Sequence, residues 1–145
     1  MQCCETMLVM EAMARQVVTI DAADTVYSAC MRYKEKKVGC LVVVEGETCV
    51  GIVTERDLIE RSICARRDPD TTKVRDIMSS GVKVVNALDT IEKALEIMRQ
   101  HKIKKLPVIQ SEKVVGILTV TDIAKARPDL SRRFMDSWVK AQWRD

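Results

Sequence analysis

The chain repeats itself at an offset of 65 residues (82 − 17 = 65), and no gap is needed to keep the two copies in register. Val17 aligns with Val82, Asp24-Thr25 with Asp89-Thr90, Ala29 with Ala94 and Leu41 with Leu106. Further on, Val50-Gly51-Ile52 aligns with Val115-Gly116-Ile117, Thr54 with Thr119 and Asp57 with Asp122. Upstream, Val9-Met10-Glu11-Ala12-Met13 matches Val74-Arg75-Asp76-Ile77-Met78. A repeat of this length is one supersecondary unit made twice, neither copy able to bury its apolar surface alone. The sequence divides into a first copy with its lead-in over 1–66, a polar joint over 67–72 broken by Pro69, a second copy over 73–127 and an extra segment over 128–145.

The hydrophobic period changes in the same order within each copy. Val17-Val18-Thr19-Ile20 is short and β-branched, a strand. Asp24 or Thr25 then caps a helix whose stripe is Val26, Ala29, Cys30 and Tyr33, repeated as Ile91, Ala94, Leu95 and Met98. A buried strand follows at Cys40–Val44 or Lys105–Ile109, then a turn at Glu45-Gly46-Glu47 or Gln110-Ser111-Glu112. A third strand, Val50–Val53 or Val115–Leu118, runs into a second helix near Asp57 or Asp122. Each copy therefore reads β-α-β-β-α, with strands one and two parallel and strands two and three a hairpin. The expected fold is mixed α/β (α+β): two such repeats packed sheet to sheet about a pseudo-twofold axis, around one shared core.

Composition sets the outer limits. Over 145 residues, 47% are hydrophobic and 31% charged, which suits a folded globular chain. Aromatics are only 3%, so the core is aliphatic. The longest apolar runs are far too short for a membrane span, and no secretory signal pattern is visible at the start. A net charge of +3 spread along the chain argues against nucleic acid, which needs a clustered basic face. Six cysteines sit at 3, 4, 30, 40, 49 and 64, without CxxC or Cys/His ligand spacing, so no metal site is expected. Cys30, Cys40, Cys49 and Cys64 read as small hydrophobes in a reducing cytoplasm. Cys3-Cys4 lies outside any periodic segment, with a redox or cross-linking role as its alternative reading.

The residues that carry chemistry stand at the strand-to-helix corner, Gly51-Ile52-Val53-Thr54-Glu55-Arg56-Asp57 and Gly116-Ile117-Leu118-Thr119-Val120-Thr121-Asp122. A threonine hydroxyl at a helix start can donate to a phosphate oxygen, beside open N–H groups. An ionised aspartate only accepts, which matches the two hydroxyls of a ribose diol. Gly51 and Gly116 allow close approach of backbone or ligand. The same Thr-x-x-Asp is also the pattern of a capping box, and duplicated units would duplicate a cap. Both readings stand at this point.

The two corners, with the Val-x-Glu/Asp-x-Met lead-in and the Asp-Thr helix start of each copy, resemble a tandem pair of cystathionine-β-synthase (CBS) domains, often called a Bateman module. The resemblance covers about residues 8–127. It implies a regulatory module that binds AMP, ADP, ATP or S-adenosylmethionine in two clefts between paired sheets, with no other cofactor. It also implies dimers formed through helices. Carried over, site A comprises Ile52, Thr54, Arg56 and Asp57, with Met78, Lys83, Ile103, Lys104 and Lys105 as its other wall. Site B comprises Ile117, Thr119, Thr121 and Asp122, with Ala14, Val18, Val38, Gly39 and Cys40. Gly39 and Cys40 replace the two lysines of site A, so site A should favour the more phosphorylated nucleotide. A solvated basic edge is the other reading of Lys102, Lys104 and Lys105.

Nothing in the sequence points to catalysis. No HExxH, Walker loop, GxSxG or GxGxxG is present. His101 is the only histidine and stands at a helix end, where it complements the dipole. Asp57 and Asp122 fall in separate copies and make a poor acid/base pair. After Arg127-Pro128, Leu130, Phe134, Trp138 and Ala141 form a helical stripe, and Trp143 follows. That amphipathic helix folds back on the module or a dimer mate, or docks a protein partner. The alternative function is accordingly an interaction or oligomerisation module with no physiological nucleotide, acting through its helices and tail.

Overall fold

The computed structural model describes residues 6–130 and Arg132. In chain order its elements are α1 (Val9–Ala12), β1 (Thr19–Asp21), α2 (Val26–Lys36), β2 (Cys40–Glu45), β3 (Thr48–Thr54), α3 (Glu55–Asp57), β4 (Ser79–Ser80), β5 (Val85–Asn86), α4 (Ile91–His101), β6 (Lys105–Gln110), β7 (Lys113–Thr119) and α5 (Val120–Ala126). A π-helical stretch, Leu58–Ile63, continues α3, and a 3-10 turn covers Val74–Asp76. The chain divides into two compact units, Val17–Val82 and residues 1–16 with 83–145. The stripe 128–145 lies largely outside the described residues, as do Cys3 and Cys4; Leu130 packs on the second unit's core.

In the unit Val17–Val82 the sheet order is β1-β2-β3-β4, with β1 parallel to β2 and the other pairs antiparallel. β2 is central and its first four residues are buried, as its unbroken apolar run requires. Thr25 caps α2 by accepting from the Ser28 amide, and Val26 and Ala29 turn inward. Helix α2 ends at Lys37 in the left-handed conformation. The other unit repeats the plan: Thr90 caps α4, Ile91, Ala94 and Met98 are fully buried, and Lys102 is left-handed. Its sheet runs β5-β6-β7, and the hairpin bulges at the same repeat position, Val43/Val44 and Val108/Ile109.

One difference has a chemical cause. The Val42 amide donates to the Val18 carbonyl at 3.0 Å, extending the pairing below β1. Its equivalent is Pro107, which has no N–H to give. Strand β5 is correspondingly only two residues long, against three for β1.

The lead-ins are exchanged between copies. The Val9 amide donates to Asp89 O (2.8 Å), Met10 to Ala87 O (3.0 Å), and the Ile91 amide to Met7 O (3.1 Å). The same three bonds recur 65 residues on: Val74 to Asp24 O (2.8 Å), Arg75 to Ala22 O (3.0 Å), and Val26 to Thr72 O (2.9 Å). Each lead-in thus serves the copy it does not precede in the sequence division. Two clusters of buried residues each lie wholly inside one unit. The lead-ins explain this, because Val9 and Met13 complete one cluster and Val74 and Ile77 the other. Two thiols also depart from expectation: Cys30 and Cys64 are exposed, while Cys40 is buried and Cys49 intermediate. On α2 the buried stripe is Val26 and Ala29, and Cys30 lies beyond its edge.

Candidate functional site

The corner of Val17–Val82 is a closed hydrogen-bonded box. Thr54, in extended conformation, ends β3 and caps α3. Its amide donates to Asp57 Oδ2 at 2.9 Å, and its hydroxyl donates to the same oxygen at 3.1 Å. The Asp57 amide returns a bond to Thr54 Oγ1 at 3.3 Å. The hydroxyl proton and two of the helix-start amides are therefore engaged within the corner, as in the capping-box reading. The other carboxylate oxygen, Asp57 Oδ1, lies 3.7 Å from Arg61 Nε. The second corner repeats the box: Thr119 N–H to Asp122 Oδ2 at 2.9 Å and Asp122 N–H to Thr119 Oγ1 at 3.2 Å. Asp57 is buried and Asp122 half-buried.

The glycines next to the corners are occupied by protein. Strand β4 lies on β3 with Gly51 opposite Ser80 and Ile52 opposite Ser79. A Cβ on Gly51 would meet Met78 Sδ at 2.6 Å and Ser79 O at 2.8 Å. At Gly116 it would meet Ala14 O and Met13 Sδ, both at 2.7 Å. The close approach foreseen at these positions is that of the lead-in backbone.

Each unit holds one part of each carried-over site. Val17–Val82 brings together Ile52, Thr54, Arg56, Asp57 and Met78. It also contains Val18, Val38, Gly39 and Cys40, of which Gly39 is exposed and Cys40 buried. The other unit joins Ala14 to Ile117 by reciprocal backbone bonds of 2.9 and 3.0 Å, beside Thr119, Thr121 and Asp122. It also contains Lys83, Ile103, Lys104 and Lys105. Lys83 is exposed, Ile103 half-buried, and Lys105 opens β6 opposite Thr119. Arg56 is exposed and bonds Glu60 at 2.8 Å.

Two residues at the first corner escaped the sequence reading of the site. Arg61 Nη1 donates to Met78 O (3.0 Å) and Ile77 O (3.3 Å), tying the lead-in to the helix that carries Asp57. Tyr33 donates its hydroxyl to Val53 O at 2.6 Å, one residue before Thr54. Burial pushes that phenol well above its ordinary pKa, and the charges of Cys40, Glu55 and Asp57 add to the effect. The one signal for them in the sequence is a break in the repeat, since Tyr33 aligns with Met98 and Arg61 with Ala126.

Comparison with known proteins settles the family. The CBS domain model matches residues 9–63 and 74–129. The chain belongs to the CBS domain family. The CBS pair is similar to the uncharacterized protein YlbB of Bacillus subtilis, 36% identical over 103 residues, 70% of this chain and 69% of that one. Among solved structures it resembles the hexameric CBS-CP12 protein from bloom-forming cyanobacteria, 32% identical with a TM-score of 0.72, over 98% of this chain and 79% of that one. It shares its fold with the CBS domain pair of protein MJ0100, solved with 5′-methylthioadenosine and S-adenosyl-L-methionine: 20% identity, TM-score 0.72, 83% of this chain and 95% of that one. Among the described residues no helix is long and apolar enough to cross a membrane. No group of three or more His, Cys, Asp or Glu among them is placed to hold a metal.

Proposed function

We propose that this CBS pair is a regulatory module, not an enzyme, that binds an adenine nucleotide or related adenosyl compound at its Thr-x-x-Asp corners and passes occupancy to an oligomer or a protein partner. One observation carries the reading. In both corners the cap uses the Oδ2 of its aspartate, so Oδ1, which in the first corner stands 3.7 Å from Arg61 Nε, is the oxygen that would accept from ribose hydroxyls. Cap and clamp are therefore compatible uses of one carboxylate. Occupancy would act by differential affinity for two arrangements of the module. The adenosyl compounds found with the MJ0100 pair make natural first probes.

The test is isothermal titration with AMP, ATP, 5′-methylthioadenosine and S-adenosylmethionine on wild type and on Asp57→Asn, Asp122→Asn and the double variant. Asparagine keeps one acceptor for the threonine amide but replaces the other oxygen with a donor. The double variant should lose binding while its urea midpoint shifts by no more than about 1 kcal/mol in stability. Undiminished binding would refute the clamp. No binding to folded wild type would favour the interaction module instead, a reading to which the exposed Ile59 and Ile63 on the π-helical stretch lend support.

A further inference from the structure

The two corners share a backbone but not their buttresses. In Val17–Val82 the end of β3 is held by the Tyr33 hydroxyl on Val53 O, 20 residues away in sequence. The lead-in is held by Arg61 on two successive carbonyls, 16 and 17 residues away. The same guanidinium stands 3.7 Å from Asp57 Oδ1. The equivalents, Met98 and Ala126, have no side-chain donor. The Thr54 hydroxyl closes on Asp57, and that carboxylate is buried.

Resting on the corner reading above, we infer that Arg61 and Tyr33 are positioning residues that make the Thr54/Asp57 corner the better formed, higher-affinity of the two adenosyl sites. The reason is preorganisation. A carboxylate held in one rotamer, beside a lead-in strand already fixed, loses less freedom when a ligand arrives. Arg61 does this because its planar fork reaches the two carbonyls and Asp57 Oδ1 together; an ammonium group would have to choose among them. Tyr33 does it by fixing the carbonyl just before the capping threonine. Neither residue needs to touch the ligand.

The experiment isolates each corner and probes it with AMP. In an Asp122→Asn background only the first corner remains competent, and in Asp57→Asn only the second. The first background should bind AMP more tightly. Adding Arg61→Ala to it should weaken binding about three- to tenfold, and adding Tyr33→Phe about two- to fivefold. Arg61→Lys should recover little. The same substitutions in the Asp57→Asn background should leave affinity within about twofold. An effect that is absent, or equal in both backgrounds, overturns the inference. Ligand-free amide exchange at Ser79 and Ser80 supplies a second measurement. It should speed up in Arg61→Ala, and an unchanged rate also overturns the inference. Wild-type protein that takes up no AMP removes the nucleotide reading itself and with it any role of Arg61 in affinity. Faster exchange in that case retains Arg61 only as the tie of the corner.

Discussion

Gly116→Ala should cost far more than a glycine-to-alanine change in a strand normally does. An added Cβ would stand 2.7 Å from the Ala14 carbonyl oxygen and 2.7 Å from Met13 Sδ. Ordinary carbon contact is about 3.5 Å or more, so roughly 0.8 Å must open. The methionine can swing aside. The carbonyl cannot, because Ala14 and Ile117 exchange two backbone bonds of 2.9 and 3.0 Å. The protein then either tolerates overpacking, at about 1–3 kcal/mol, or releases the lead-in and loses two hydrogen bonds at about 1 kcal/mol each. Either route gives a loss of about 1–3 kcal/mol, a large share of a small domain's stability. Urea denaturation measures it, and amide exchange at Ala14 and Ile117 tells the routes apart. The double variant Gly116→Ala/Met13→Ala separates the two contacts, since removing the thioether leaves the carbonyl clash in place and should rescue nothing. A Gly116→Ala loss under about 0.5 kcal/mol, or full rescue by Met13→Ala, would refute the reasoning.

Two further outcomes follow from local geometry. The β6–β7 hairpin turns through Ser111 and Glu112, both at positive φ (52° and 67°), a type I′ arrangement that favours Asn-Gly. The variant Ser111→Asn/Glu112→Gly should therefore gain about 1 kcal/mol by urea denaturation, and no gain would count against that turn. The Arg127 guanidinium, hydrogen-bonded to Asp129, holds that carboxyl at about 2. A depressed carboxyl contributes its full stabilisation above the unfolded value of about 3.9 and loses it as pH falls toward 2. Carboxyl NMR titration should place the Asp129 midpoint near the lower value and return it to the ordinary range in Arg127→Ala; an ordinary midpoint in wild type would contradict the pairing.

The repeat, the β-α-β-β-α order, the threonine caps and the two corners were legible because each is written within a few residues. Val26/Ala29 and Ile91/Ala94 declare a helix face by spacing, and Thr-x-x-Asp declares a box by chemistry. Boundaries moved slightly: β1 is Thr19–Asp21 where Val17–Ile20 was expected, and the second helices start at Glu55 and Val120 because the threonine is the cap. The π-helical widening at Leu58–Ile63 has no sequence signal that we can name.

Partner choice was decided only in three dimensions. Duplication made the lead-ins interchangeable as patterns, so nothing local in Val9–Met13 or Val74–Met78 said which copy each would complete. The glycines illustrate the point: Gly51 and Gly116 announced a close approach, but only the fold showed that a lead-in backbone makes it. Tyr33 looked like one stripe residue, and Arg61 drew no reading in the sequence, until carbonyls 16 to 20 positions away came within reach. Periodicity encodes which face of an element is apolar, because that is fixed by backbone geometry over a few residues. It cannot encode which distant group meets that face, since that contact forms only once chain closure has brought remote segments together.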